Sequence, residues 1–113
     1  MKSIFEKDKT LRGFKLFEFD DDYNKKCSLQ ESSSVEPHIW LGIDRPELKI
    51  MFKDSEMLGL GLKKNHPECN EYGWCDYIVP EEVSIESRMH LNQEQAKQLA
   101  EELLYFAKTG RLN

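Results

Sequence analysis

No apolar run in these 113 residues is long enough to span a bilayer. No N-terminal stretch carries the hydrophobic segment of a signal peptide. Basic residues are outnumbered, 16 Lys and Arg against 21 Asp and Glu, for a formal charge of −5. A basic stripe able to neutralise phosphates is therefore missing, and neither nucleic acid nor a membrane is an expected partner. Phosphate loops and dinucleotide fingerprints are absent, since Gly59 and Gly61 supply only G-x-G. Nothing resembles a nucleophile elbow or a Gly-rich oxyanion turn. Cysteine is scarce, and Cys27, Cys69 and Cys75 form an odd set at no familiar disulfide spacing. The expectation is a cytoplasmic protein with reduced thiols.

What is present is the composition of one soluble globular domain over residues 1–113, with 39% hydrophobic and 33% charged residues and a mean hydropathy of −0.68. Residues 1–12 alternate charge with isolated hydrophobes and read as a flexible arm or one helical turn. Aromatic-rich 14–19 reads as a strand, Asp20 to Lys25 as a turn, and Lys26 to Leu29 as the returning strand. Further strands are expected at 38–43, 48–52, 74–79 and 83–91. Residues 53–73, broken by Gly59, Gly61, Pro67 and Gly73, read as an irregular excursion with a hairpin arm from Leu58 to Leu62.

The C-terminal helix has the clearest signals. Asn92 suits the N-cap and Gln95 completes a capping box, while Gly110 closes the far end. Ala96, Leu99, Ala100, Leu103, Phe106 and Ala107 recur at three- and four-residue spacing, so one stripe should cover a sheet face. The fold class that follows is α+β, an antiparallel sheet of about five strands with one C-terminal helix packed on it.

Three short words join polar side chains to large hydrophobes: C-S-L-Q-E-S-S at 27–33, I-W-L-G at 39–42 and R-M-H-L at 88–91. Buried or half-buried polar groups need partners or a ligand, so these words mark a site. Strand residues alternate faces, which puts Arg88 and His90 on one side and Met89 and Leu91 on the other. Arg offers a rigid donor fork and His a switchable donor or acceptor, a pair suited to anionic groups. Gln30, Ser32, Ser33 and Trp40 would complete a polar pocket with a stacking platform. No metal or other cofactor is expected. His66, Cys69 and Cys75 have only one imperfect knuckle-like pair for zinc. Asp20, Asp22, Asn24 and Glu31 match calcium-loop spacing, but Lys25 stands where Gly is required.

Taken together, the three words and the T-G ending of the helix resemble a family of small proteins encoded by bacteriophages and prophages. The resemblance covers about residues 13–33, 38–46 and 83–112. It implies a phage-type accessory protein and brings no established activity or catalytic residue. A binding protein is thus the favoured expectation, one that inhibits a host factor or defence system by occupying a host protein or by sequestering a small anionic or nucleotide-like ligand. The alternative is a small enzyme in which Cys27 or His90 acts, the thiol activated by an imidazole. Self-association is expected as well, because apolar residues lie on both sides of the first aromatic strand.

Overall fold

The computed structural model describes residues 3–59 and 69–113. It is α+β, and the chain divides into two compact units, residues 1–45 with 87–113 and residues 46–86.

The first unit is built on a five-stranded antiparallel sheet. In chain order its strands are β1 (Glu6–Lys9), β2 (Lys15–Asp20), β3 (Lys26–Glu31), β4 (His38–Ile43) and, after the second unit, β7 (Arg88–Asn92). Their order across the sheet is β1-β2-β3-β4-β7. The turn from β2 to β3 is set by Asp21, whose Oδ1 accepts the Tyr23 and Lys25 amides at 2.8 Å each. Asn24 takes the left-handed conformation there, with φ of 63°, which Asn tolerates better than most residues. Residues 6–9 form an edge strand where an arm or a helical turn was expected. Pairing with β2 outweighs the weak local pattern, and the charges of E-K-D-K guard the open edge. The strand expected over 83–91 begins only at Arg88, because residues 80–83 close a turn through the Val83 amide and the Pro80 carbonyl.

Register sorts the side chains into two faces. One face carries Phe17, Leu29, Leu41 and Met89 directly opposite one another, with Phe19, Cys27 and Ile43 in the next row. Phe5 folds onto it, its ring 6.0 Å from Phe17 and 5.3 Å from Phe19. The other face carries Gln30, Trp40 and His90 in one row and Ser28, Gly42 and Arg88 in the next. Each word of the sequence therefore splits between an apolar and a polar face.

The helix α1 (Gln93–Thr109) begins and ends as its sequence dictates. Asn92 Oδ1 accepts the Gln95 amide at 2.8 Å, and Gln95 Oε1 accepts the Asn92 amide at 3.1 Å. Gly110, at φ of 76°, donates its amide to the Phe106 carbonyl, a left-handed cap that costs Gly little. The helix meets the sheet at β7, but the expected burial of its stripe stops after two turns. Ala96 and Leu99 are half-buried, whereas Leu103 is 55% exposed and Phe106 52%. No residue of α1 is buried.

The second unit pairs β5 (Lys49–Met51) with β6 (Trp74–Asp76), the strands being shorter than expected. Between them lies a 3₁₀ segment, Phe52–Leu58, which starts at the last residue of the expected strand and runs into the stretch read as irregular. The hairpin arm expected at Leu58 to Leu62 falls mostly outside the described residues. Cys69 and Cys75 form a disulfide across six positions, correcting the expectation that all thiols are reduced. Their spacing hid this because β6 curls back on Asn70, whose carboxamide oxygen accepts the Tyr72 and Trp74 amides. No helix among the described residues is long and apolar enough to cross a membrane.

Candidate functional site

The polar face gathers a connected set of side chains from β3, β4 and β7. Arg88 Nη1 donates to Gln30 Oε1 at 3.0 Å, and its guanidinium lies 5.3 Å from the Trp40 ring centroid. That geometry combines a charge-assisted hydrogen bond to a neutral acceptor with a cation–π contact. His90 Nε2 is 2.9 Å from Ser32 Oγ. The His90 ring lies 4.1 Å from the Trp40 ring and 4.5 Å from that of His38, nearly parallel to the latter. His38 Nδ1 in turn lies 2.9 Å from the Glu36 carbonyl, which can only accept, so that nitrogen carries a proton. Ser34 Oγ completes the end of the row, donating to the same carbonyl at 2.7 Å.

Backbone geometry makes this array possible. Gly42 sits opposite Arg88 in the register. A Cβ at Gly42 would stand 2.7 Å from the Ser87 carbonyl oxygen and 2.8 Å from the Arg88 Cα. With no side chain there, β7 closes on β4 and the Arg88 side chain crosses β4 to reach β3. Ser87 Oγ ties the entry of β7 down, donating to the Ile43 carbonyl at 2.6 Å. The capping box fixes the other end of β7, at Asn92.

Of the residues expected at the site, Arg88, His90, Gln30, Ser32 and Trp40 are brought together. Ser33 is exposed in the loop after β3 and makes none of these contacts. His38, Ser34 and Glu36 join the cluster although the sequence words did not reach them. The signal available was His38 at two residues before Trp40, which places both on one strand face.

A cleft of about 330 Å³ opens where β3 ends and β4 begins, lined among others by Ser32, His38, Ile39, Leu91 and Asn92. It shares Ser32 and His38 with the cluster, so the polar row runs into a partly apolar hollow beside the start of α1.

The expected activation of the Cys27 thiol by an imidazole does not form. Cys27 pairs with Phe19 and Ile43 on the apolar face, and the imidazoles lie on the opposite one. Its buried thiol donates to the Lys25 carbonyl at 3.5 Å. Burial, and then the carboxylates of Asp21 and Asp44, push its pKa upward, the reverse of nucleophile activation. For zinc, Cys69 and Cys75 are joined to each other and His66 lies outside the described residues. Among the described residues no three His, Cys, Asp or Glu side chains converge on a metal position, the acidic turn at 20–24 included.

No family model matches the chain, and no curated protein or solved structure shows a match to it.

Proposed function

We propose that this is a small binding protein of the phage accessory type, which sequesters an anionic, nucleotide-like ligand at the polar sheet face and thereby inhibits a host factor or defence system. The observation that carries the reading is the arrangement of Arg88 over Trp40 beside His90. A guanidinium fork, an indole and an imidazole share one surface, with Gln30 bonded to the first, Ser32 to the last and the indole beside both. Gln30 and Ser32 bring no charge of their own to this face, and the Arg88 fork can offer an incoming anion charge-assisted bonds. The aromatic rings suit a flat heterocycle. Because the side chains are already held, little rotamer freedom remains to be lost on binding.

The test uses the fluorescence of Trp40 in a Trp74→Phe background, titrated with adenosine monophosphate, adenosine and inorganic phosphate. The expected result is quenching by the nucleotide and weaker or absent quenching by the other two. Arg88→Ala should weaken the nucleotide response at least about tenfold, as the loss of one charge-assisted bond predicts. Its unfolding free energy should stay within about 1 kcal/mol of wild type, as for other partly exposed residues. No response to any of the three probes would overturn the reading.

A further inference from the structure

Beyond the polar row, the first unit holds a second place for a ligand. The cleft of about 330 Å³ at the end of the sheet is walled by Phe14, Pro37, Ile39, Leu91 and Ala96, and it shares Ser32 and His38 with the cluster. Apolar walls with a few polar groups, enclosing a volume of this size, are typical of small-molecule sites. The walls are set by the fold. Phe14 is tied to Thr10 twice, its amide donating to Oγ1 at 3.1 Å and its carbonyl accepting the Thr10 amide at 2.7 Å. Ile39 and Leu91 stand opposite each other in the β4–β7 register, and the Ser32 amide donates to the His38 carbonyl at 3.0 Å.

Charge at the margin of the cleft has both signs. Glu31 lines it with a carboxylate whose Oε1 accepts the Lys15 amide at 2.7 Å. The Arg12 guanidinium lies 5.4 Å from the Phe14 ring centroid. Neither sign prevails, so the cleft suits an uncharged ring between its apolar walls, and Glu31 can accept a bond from an amino group or a sugar hydroxyl.

The spacing from Arg88 decides how much ligand reaches that far. The Arg88 guanidinium is 5.3 Å from the Trp40 ring, Trp40 is 4.1 Å from His90, and His90 is 4.5 Å from His38. One heterocycle with its phosphate at Arg88 is accommodated on Trp40 and His90. The cleft beyond His38 then remains for a second ring.

We propose that the ligand is a dinucleotide. Its terminal phosphate lies at Arg88, its first base on Trp40 and His90, and its second base in the cleft. The inference rests on the nucleotide reading above and adds a second subsite to it.

Calorimetric titration with adenosine monophosphate, adenosine 3′,5′-bisphosphate and the dinucleotide pApA tests this. The bisphosphate carries both phosphates of pApA without the second nucleoside, so the comparison isolates the cleft. The dinucleotide should bind at least about tenfold more tightly than the bisphosphate, the gain expected from burying one more base. Ala96→Phe, which fills the cleft, should remove that gain and leave bisphosphate binding unchanged, with circular dichroism showing whether the variant folds. In the wild-type protein the methyl resonances of Ile39 and Leu91 should shift with pApA and not with the bisphosphate, which decides the matter if the variant does not fold. Binding of adenosine monophosphate with no gain for pApA over the bisphosphate would overturn the dinucleotide inference and leave the mononucleotide reading standing. A gain without those methyl shifts would also overturn it. No binding of any of the three would overturn both readings.

Discussion

Arg88 and Gln30 are separated by 58 positions, and Gly42 is the residue that lets them meet. Restoring a methyl group at that point should show how tightly the array is set. Gly42→Ala places Cβ against the Ser87 carbonyl and the Arg88 Cα, both backbone atoms that cannot rotate away. The cost should be about 1–3 kcal/mol in chemical denaturation, as for other overpacked sites. The nucleotide response of Trp40 should fall with it, since the start of β7 must move. Cys27 makes a separate residue-scale case. Its raised pKa means that the folded protein prefers the neutral thiol over a wider pH range than the unfolded chain does. Stability from this group is therefore complete below the ordinary thiol value of 9.0 and declines as pH rises beyond it toward the folded pKa. Cys27→Ser should flatten that alkaline decline in denaturant titrations. Iodoacetamide at neutral pH should leave Cys27 unmodified in the native protein and label it once the chain is unfolded.

The helix shows how far local signals reach at the scale of an element. Its N-cap, capping box and left-handed Gly110 all stand where the sequence puts them, because each depends on bonds spanning four residues or fewer. Asn92→Ala should cost about 1 kcal/mol of stability, the usual value for removing an N-cap oxygen, measured by urea denaturation at fixed protein concentration. Apolar spacing was an equally clear signal, yet it could not say what would cover the stripe. Periodicity states that a face avoids water and is silent on whether the same chain supplies the cover. The strands behave similarly. The 38–43 segment has the bounds its composition announces, whereas β1 has no β-forming composition and exists by virtue of its partner β2.

At the scale of the whole molecule, the Cys69–Cys75 disulfide belongs to the second unit and the polar cluster to the first. In the chain-entropy account, a loop of six residues closed by a disulfide gains about 2 kcal/mol. Reduction should thus speed hydrogen exchange at β5 and β6, for example at Ile50 and Cys75, by roughly thirtyfold. Exchange at Leu29 and Leu41 in the five-stranded sheet should hold. A uniform acceleration of both sheets would show instead that the two units open together.

The sequence by itself determined the α+β class, the ends of α1 and the alternation that sets Arg88 and His90 against Met89 and Leu91. These follow from hydrogen bonds and side-chain directions within a few residues, which composition and spacing encode directly. Much of the polar cluster was legible on the same ground, since Gln30, Trp40, Arg88 and His90 each sit in a word whose polar members share one strand face. Only the tertiary structure decided that β4 runs between β3 and β7, and so which polar residues touch. Strand order places Gln30 under Arg88, stacks His38 on His90, and puts Cys27 on the far side of the sheet from both imidazoles. It also decided that Cys69 meets Cys75 and that the stripe of α1 outruns its own sheet. Each of these depends on which distant segments become neighbours, a matter of loop closure and shared burial that no local pattern records.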